Sequence, residues 1–357
     1  MEYIVPAAVF DGNELLGDAA LVAEDGVVVD LVGKAVAREH ECTERPGEIL
    51  STGLFDTQVN GGGGVMLNNS PTREGVRRIA QAHRAAGTTY LLPTVITDEA
   101  EVIHRAAVAV MEEVGRGGVL GIHIEGPHIS RIHKGTHDPD RIRPFDAETR
   151  ATIEMLRRAD VPVLLTLAPE EVPPGLIAEL TGMGVVVSAG HTAADADTAR
   201  RAIAEGLRAC THLYNAMPKM ESRKPMATGA FIDSGIWCGF IADGHHVSDI
   251  MLDIAVRARP VADRMVLVSD AMSTIGGPDH FELYGERIHV SEGRLVNAEG
   301  SLAGAHIDLR TSVRRLLSNF DFSTESVLRM AMRNPFEMMR IDPPKLVGSA
   351  VVDLASC

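Results

Sequence analysis

Hydrophobic and polar positions change phase again and again from residue 50 onward. Short β-branched runs that end in polar residues alternate with stretches whose apolar residues recur every three or four positions, the periods of a strand and of an amphipathic helix. Eight such runs are present: "ILSTGLFDTQVN" near 50–60, "TTYLLPTVI" at 88–96, "VLGIHIEG" at 119–126, "VPVLLTLAP" at 161–169, "GVVVSAGHT" at 184–192, "RACTHLYNA" at 208–216, "WCGFIADGHH" at 237–246 and "RMVLVSDAM" at 264–272. Between most of them lie segments such as "TREGVRRIAQAHRAAG" and "TAADADTARRAIAEG", each closing on a glycine as helix C-termini often do. Eight β/α units predict an α/β fold of the (β/α)8 TIM-like barrel type.

A doubly wound open sheet has the same strand count, and the polar residues separate the two. Asp56 and Gln58, His123 and Glu125, His191, His212, Asp243 with His246, and Asp270 fall at the C-terminal ends of their runs. Barrel active sites are built at that face, whereas an open sheet gathers its polar groups at one switch point. Residues 1–49 read as short strands and turns, and two alternating runs around Asp-Gly in "DAALVAEDGVVVDLVG" predict a hairpin. With the last strand-like piece, "SAVVDLAS", they are expected to form a small β-layer or sandwich. The expected domains are residues 1–49 with 341–357, and a barrel over 50–340.

Composition narrows the partners. At 357 residues and 45% hydrophobic, the chain suits one large α/β domain with a small appendage. The balance of 34 Lys+Arg against 49 Asp+Glu, a net charge of −15, argues against a nucleic-acid partner held by a basic surface but leaves room for a small anion. No apolar run approaches a membrane span, and "MEYIVPAAVFDGN" lacks the basic region and apolar core of a signal peptide. No membrane partner and a cytoplasmic location are therefore expected. Cys42, Cys210, Cys238 and Cys357 are scattered, with no C-x-x-C pair, and read as reduced, mostly buried thiols.

The chemistry centres on "GIHIEGPHISRIHKGTHDP" at 121–139, where Glu125 stands among four histidines. A catalytic metal site needs three N/O ligands and an open position, and Glu125, His191 and His212 supply such a set. Singly, each histidine reads as a hydrogen-bonded structural residue and Asp270 as a helix cap. Jointly they point to a metal with Asp270 as general base, because water activated by a cation still needs a proton acceptor. The "GGGG" run at 61–64 lacks nucleotide-cradle spacing and is expected to bend the chain or bring backbone close to a substrate. His83 and His104 sit in helical patterns, and Met330, Met332, Met338 and Met339 read as core packing.

"FDTQVNGGGG", "GIHIEGPHISRIHKGTHDP", "VVVSAGHT", "THLYNAMP", "IADGHHV" and "LVSDAM", in order over roughly residues 50 to 335, resemble the successive motifs of the N-acetylglucosamine-6-phosphate deacetylases, members of the amidohydrolase superfamily. The resemblance implies removal of acetate from N-acetylglucosamine 6-phosphate by a barrel carrying one divalent ion on Glu125, His191 and His212. Zinc is the first choice, with iron, manganese or cobalt also compatible. Asp56-Thr57-Gln58 lacks the H-x-H pair of many amidohydrolases, hence a single ion, with Gln58 touching the metal or its water. A core amide paired to backbone is the alternative for Gln58.

The same resemblance makes Asp270 the general base and acid, sets His246 against the acetamide carbonyl, and assigns Thr136 and His137 to a sugar-contacting loop. It assigns phosphate binding to Asn215, Ala216 and Arg223, the last reaching the neighbouring subunit of a homodimer. By itself Arg223, in "PKMESRKPM", reads as a solvated charge, although a guanidinium suits a phosphate. His245 reads as a rim residue, and His128 and His133 as solvated loop histidines. Lys224 departs from the family pattern and is placed to share the phosphate contact, and Leu302-Ala303-Gly304-Ala305-His306 departs in a way that alters the sugar pocket. Two other readings stay open: an amidohydrolase with a different N-acyl or cyclic amide substrate, and a non-enzymatic sugar-phosphate sensor, which would have no need of a base.

Overall fold

The computed structural model of the protein describes residues 1–297, 300 and 302–354. Its N-terminal layer contains β1 (Glu2–Phe10), β2 (Leu15–Leu16), β3 (Ala19–Glu24), β4 (Val27–Gly33), α1 (Lys34–Ala37) and β5 (Cys42–Ser51). Asp25 and Gly26, at φ 50° and 79°, make the two-residue turn of the predicted β3–β4 hairpin, because both positions need left-handed backbone. The terminal strand Val352–Asp353 pairs antiparallel with β5, so the sheet joins the two ends of the described chain.

The larger sheet runs β6 (Leu54–Val59), then, past a β7–β8 ribbon (Gly61–Gly62, Val65–Met66), β9 (Thr88–Ile96), β10 (Ile122–Glu125), β11 (Val163–Leu167), β12 (Val186–Ala189), β13 (Ala209–Cys210), β14 (Trp237–Ile241) and β15 (Met265–Val268). These eight strands of one sheet lie in sequence order and pair in parallel. A parallel bridge between Val59 and Ala271 closes the first strand on the eighth, with Asn60 N and Gly61 N donating to Ala271 O at 2.9 and 3.1 Å. The result is the expected (β/α)8 barrel.

Helices α2 (Arg73–Ala85), α3 (Ala100–Met111), α4 (Ala147–Arg158), α5 (Leu176–Gly182), α6 (Ala196–Ala204), α7 (Met226–Ile232), α8 (Asp249–Arg257), α9 (Leu309–Asn319), α10 (Thr324–Ala331) and α11 (Arg333–Met339) follow the strands. Caps fix where they begin: Thr72 accepts from Gly75 N ahead of α2, and Asp195 from Thr198 N ahead of α6. Strand alternation then divides the core. Val163, Leu165 and Val187 pack outward with the helices, while Leu164, Val186 and Val266 point into the barrel. Phe336 seals the barrel floor, its ring 4.7 Å from Phe55 and 5.5 Å from Tyr90. Met330, Met332, Met338 and Met339 are all buried in these two cores.

One sheet was not anticipated. After the eighth strand, β16 (His280–Leu283), β17 (Glu286–Ser291) and β18 (Arg294–Val296) form an antiparallel sheet that packs Phe281, Leu283, Ile288 and Leu295 against Met66, Ile96 and Met272. His128 also departs from expectation. It is buried rather than solvated, with Nδ1 3.0 Å from Arg143 O, Nε2 3.1 Å from Thr149 Oγ1 and its ring against Phe145. The glycine run turns the chain back at the end of β6, where a Cβ on Gly61 would fall 2.5 Å from Val65 O and 2.9 Å from Ser273 N. Cys210 and Cys238 are buried free thiols and Cys42 is a half-buried one, whereas Cys357 lies outside the described residues. Among the described residues no helix is long and apolar enough to cross a membrane.

Candidate active site

Three strands end in the same way. Two residues beyond the last residue of β12, β13 and β15, the backbone turns left-handed, at His191 (φ 47°), His212 (φ 34°) and Asp270 (φ 53°). Each such turn costs a non-glycine residue on the order of 1 kcal/mol and lasts only where its surroundings enforce it. Here Ser130 N donates to His191 O, Asn215 N to His212 O and Ala305 N to Asp270 O, at 2.8, 2.9 and 3.1 Å. The three side chains are thereby brought to one mouth, where Glu125, the last residue of β10, already stands.

Glu125 Oε1 lies 3.0 Å from His212 Nε2 and 3.3 Å from His191 Nε2, and the two nitrogens are 3.0 Å apart. Nδ1 of His191 is 2.9 Å from His133 O, a contact that needs the proton on Nδ1 and leaves Nε2 with its lone pair free. Burial opposes charge on Glu125, but the two histidines outweigh it and hold the carboxyl well below the usual range. Burial also works against a charged His212, and Glu125 overcomes it and raises that imidazole. All three residues are buried and their donor atoms lie within 4.8 Å of one another. A carboxylate and two imidazole nitrogens crowded onto one point make a set that a divalent cation fits and would relieve.

Asp270 faces this cluster. Its Oδ1 accepts from Asn60 Nδ2 at 2.7 Å and from Gln58 Nε2 at 3.0 Å. Burial and the neighbouring Glu125 push the Asp270 carboxyl up to about 6, against the pull of His212, His246 and Asn60. The same Gln58 nitrogen lies 3.1 and 3.2 Å from the two Glu125 oxygens. With its nitrogen so placed, Gln58 bridges the two carboxylates as a donor. Asn60, which the sequence reading passed over, lines the mouth. It lies just past the last residue of β6, and the register shift between Asp56 and Val59 hides it from a simple alternation.

His246 enters from the loop after β14. Its Nδ1 is 2.6 Å from Asp243 Oδ2, while Asp243 Oδ1 accepts the backbone N–H groups of His245 and His246. Burial would raise Asp243, but His246 holds it down to about 2. Thr136, His137, Asn215, Ala216 and His246 line the pocket together with Glu125, His191, His212 and Asp270. Leu302 and Gly304, from the divergent segment, line it as well, whereas His245 is exposed and outside the lining. Arg223 and Lys224 are not brought to this pocket; they are exposed on a loop closed by a Glu221–Lys224 bridge.

Known proteins are similar to this chain in sequence and in fold. The amidohydrolase family profile matches residues 49–345. An N-acetylgalactosamine-6-phosphate deacetylase of Shewanella sp. strain ANA-3 is 38% identical over 345 residues, 94% of this chain and 86% of the relative. An N-acetylglucosamine-6-phosphate deacetylase of Bos taurus is 32% identical over 349 residues, 94% of this chain and 82% of that one. Among solved structures, the N-acetylglucosamine-6-phosphate deacetylase of Pasteurella multocida superimposes with a TM-score of 0.89 at 28% identity, over 99% of this chain and 95% of its own. A Mycobacterium smegmatis variant of the same name, solved in complex with N-acetyl-D-glucosamine-6-phosphate, gives 0.88 at 27% identity, over 99% and 95%. The chain therefore belongs to the amidohydrolase family, hydrolases of amide carbon–nitrogen bonds, and within it is similar to the deacetylases of phosphorylated amino sugars.

Proposed function

We propose that the protein hydrolyses N-acetylglucosamine 6-phosphate to glucosamine 6-phosphate and acetate. The observation that carries this reading is the convergence of Glu125, His191 and His212 opposite Asp270 and His246 in one pocket. One divalent cation on the first three, zinc before iron, manganese or cobalt, would polarise the acetamide carbonyl and acidify water. Asn60 and Gln58 occupy Oδ1 of Asp270, so Oδ2 takes the proton from the attacking water. The water oxygen bonds to the carbonyl carbon, Asp270 returns the proton to the amide nitrogen, and the carbon–nitrogen bond breaks to release acetate and the free amine. His246, tied at Nδ1 to Asp243, donates from Nε2 to the carbonyl oxygen, a contribution of about 3 kcal/mol for a well-placed donor.

Thr136 and His137 contact the sugar, and Asn215 and Ala216 bind the phosphate. In this reading the exposed Arg223 reaches the neighbouring pocket of a homodimer, with Lys224 beside it. The free thiols Cys210 and Cys238, paired in register on adjacent strands, favour a reducing, cytoplasmic setting, and the net charge of −15 disfavours a nucleic-acid partner. Residues 1–49 with 341–357 make a small β domain beside the barrel of 50–340 in this reading. A second reading, the galactosamine epimer of the substrate, is favoured by the 38% identical relative.

Acetate release from both phosphorylated epimers and from unphosphorylated N-acetylglucosamine tests the assignment. Turnover at least about tenfold faster on a phosphorylated sugar is expected, one power of ten being about 1.4 kcal/mol. Arg223→Ala should raise KM for that sugar and leave the unphosphorylated one unchanged. Equal turnover on all three would move the substrate to another acylated amide, and none would favour the sensor.

A further inference from the structure

Tyr284 occupies a position where backbone geometry favours glycine or asparagine. Strands β16 and β17 are joined by two residues between the register partners Leu283 and Glu286, and both have positive φ, 52° at Tyr284 and 82° at Gly285. A two-residue turn of this kind is type I′, and a bulky aromatic residue at its first position is strained. The side chain makes contacts that offset the strain. Its hydroxyl donates to the carbonyl of Thr97, and the Arg141 guanidinium lies over its ring, 5.2 Å from the centroid. Burial, with Asp98 nearby, pushes the phenol up, so the hydroxyl remains a donor.

Thr97 immediately follows β9 and holds the sugar loop. Its Oγ1 is 2.6 Å from His137 Nδ1, and the His137 ring sits 4.3 Å from that of His191. The next residue, Asp98, is paired with Arg141 through its carboxylate, accepts from Asn68 Nδ2 at 2.9 Å, and accepts from Arg143 at its carbonyl at 2.7 Å. One hairpin tip thus touches the anchor of His137 at one point and the far end of the same loop at another.

We propose that Tyr284 is a positioning residue for the sugar: the β16–β17 tip clasps Thr97 and Arg141 and through them holds Thr136 and His137 at the pocket wall. The proposal deepens the deacetylase reading, and only the identity of the ligand depends on that reading. Its test compares metal-loaded wild type with Tyr284→Phe, which keeps the ring and loses the hydroxyl, and Tyr284→Asn, which suits the turn and loses both contacts. Four quantities are measured: KM and kcat on the phosphorylated epimers, Tm, and backbone hydrogen exchange across residues 133–141.

The clasp requires KM to rise about three- to tenfold in Tyr284→Phe and further in Tyr284→Asn, with kcat within twofold. Exchange in 133–141 should quicken in both variants, and Tyr284→Phe should melt within a degree or two of wild type. Unchanged KM and unchanged exchange in both variants would overturn the proposal. So would a parallel fall of kcat, affinity and Tm in Tyr284→Phe, the mark of a merely structural tyrosine. A wild type that turns over neither epimer would overturn the substrate reading alone, and the exchange comparison would still decide the clasp.

Discussion

Asp270 is pulled in two directions. Burial and Glu125 raise its carboxyl to about 6, while His212, His246 and the Asn60 amide favour the ionised form. A general base works ionised, so kcat/KM should hold above that value and fall as pH drops through it. A bound dication moves the acid limb lower still. Asp270→Asn should keep its metal, measured by elemental analysis, while kcat falls about 10²- to 10⁴-fold, the usual worth of a positioned acid–base group. Near-normal turnover would remove Asp270 from that role. At this scale the sequence exposed the residues with charge or a ring nitrogen at a strand end: Glu125, His191, His212, Asp270. It hid what depends on contact. Whether Gln58 offers oxygen or nitrogen, or whether His128 faces water or Thr149, is decided by neighbours far along the chain.

Among elements, β6 and β15 are tied by a carboxyl as well as by the Val59–Ala271 bridge. Asp56 Oδ1 accepts from Gln58 N at 3.1 Å and Ser269 N at 3.3 Å, and burial raises the group to about 7 despite those bonds. Its folded value lies above the unfolded value of about 3.9, so the fold prefers the protonated form. Stability from this group is fully present below about pH 4 and is lost as pH rises through about 7. Asp56→Asn should flatten the pH dependence of urea unfolding over that window and stabilise the fold at pH 8 by on the order of 1 kcal/mol or more. A variant that unfolds with the wild-type pH dependence would show that Asp56 is ionised in the fold.

The strands themselves were legible because barrel strands are buried on both faces and read as short β-branched runs. Their lengths were not. "RACTHLYNA" contains a strand of only two residues, Ala209–Cys210, because the left-handed turn at His212 ends it early. The β16–β18 sheet was passed over although "HFELYGERIHVSEGRLV" alternates and carries Tyr-Gly and Glu-Gly turns. Its role lies in contacts with Met66 and Ile96, some two hundred residues away, which no local pattern announces.

For the whole molecule, Glu125, His191 and His212 come from three different strands, so a cation bound there links β10, β12 and β13 in the folded state alone. Such a ligand stabilises by mass action, about 2.7 kcal/mol at one hundred times its Kd. Chelation should therefore lower Tm, readdition of zinc should restore it, and Glu125→Gln should abolish the difference. A Tm indifferent to chelator would place any metal elsewhere. The left-handed turns at His191, His212 and Asp270 have a consequence for heredity. Each keeps a strained backbone for the sake of its side chain, so a lineage that ceased to use this chemistry would lose the reason to hold histidine, histidine and aspartate there.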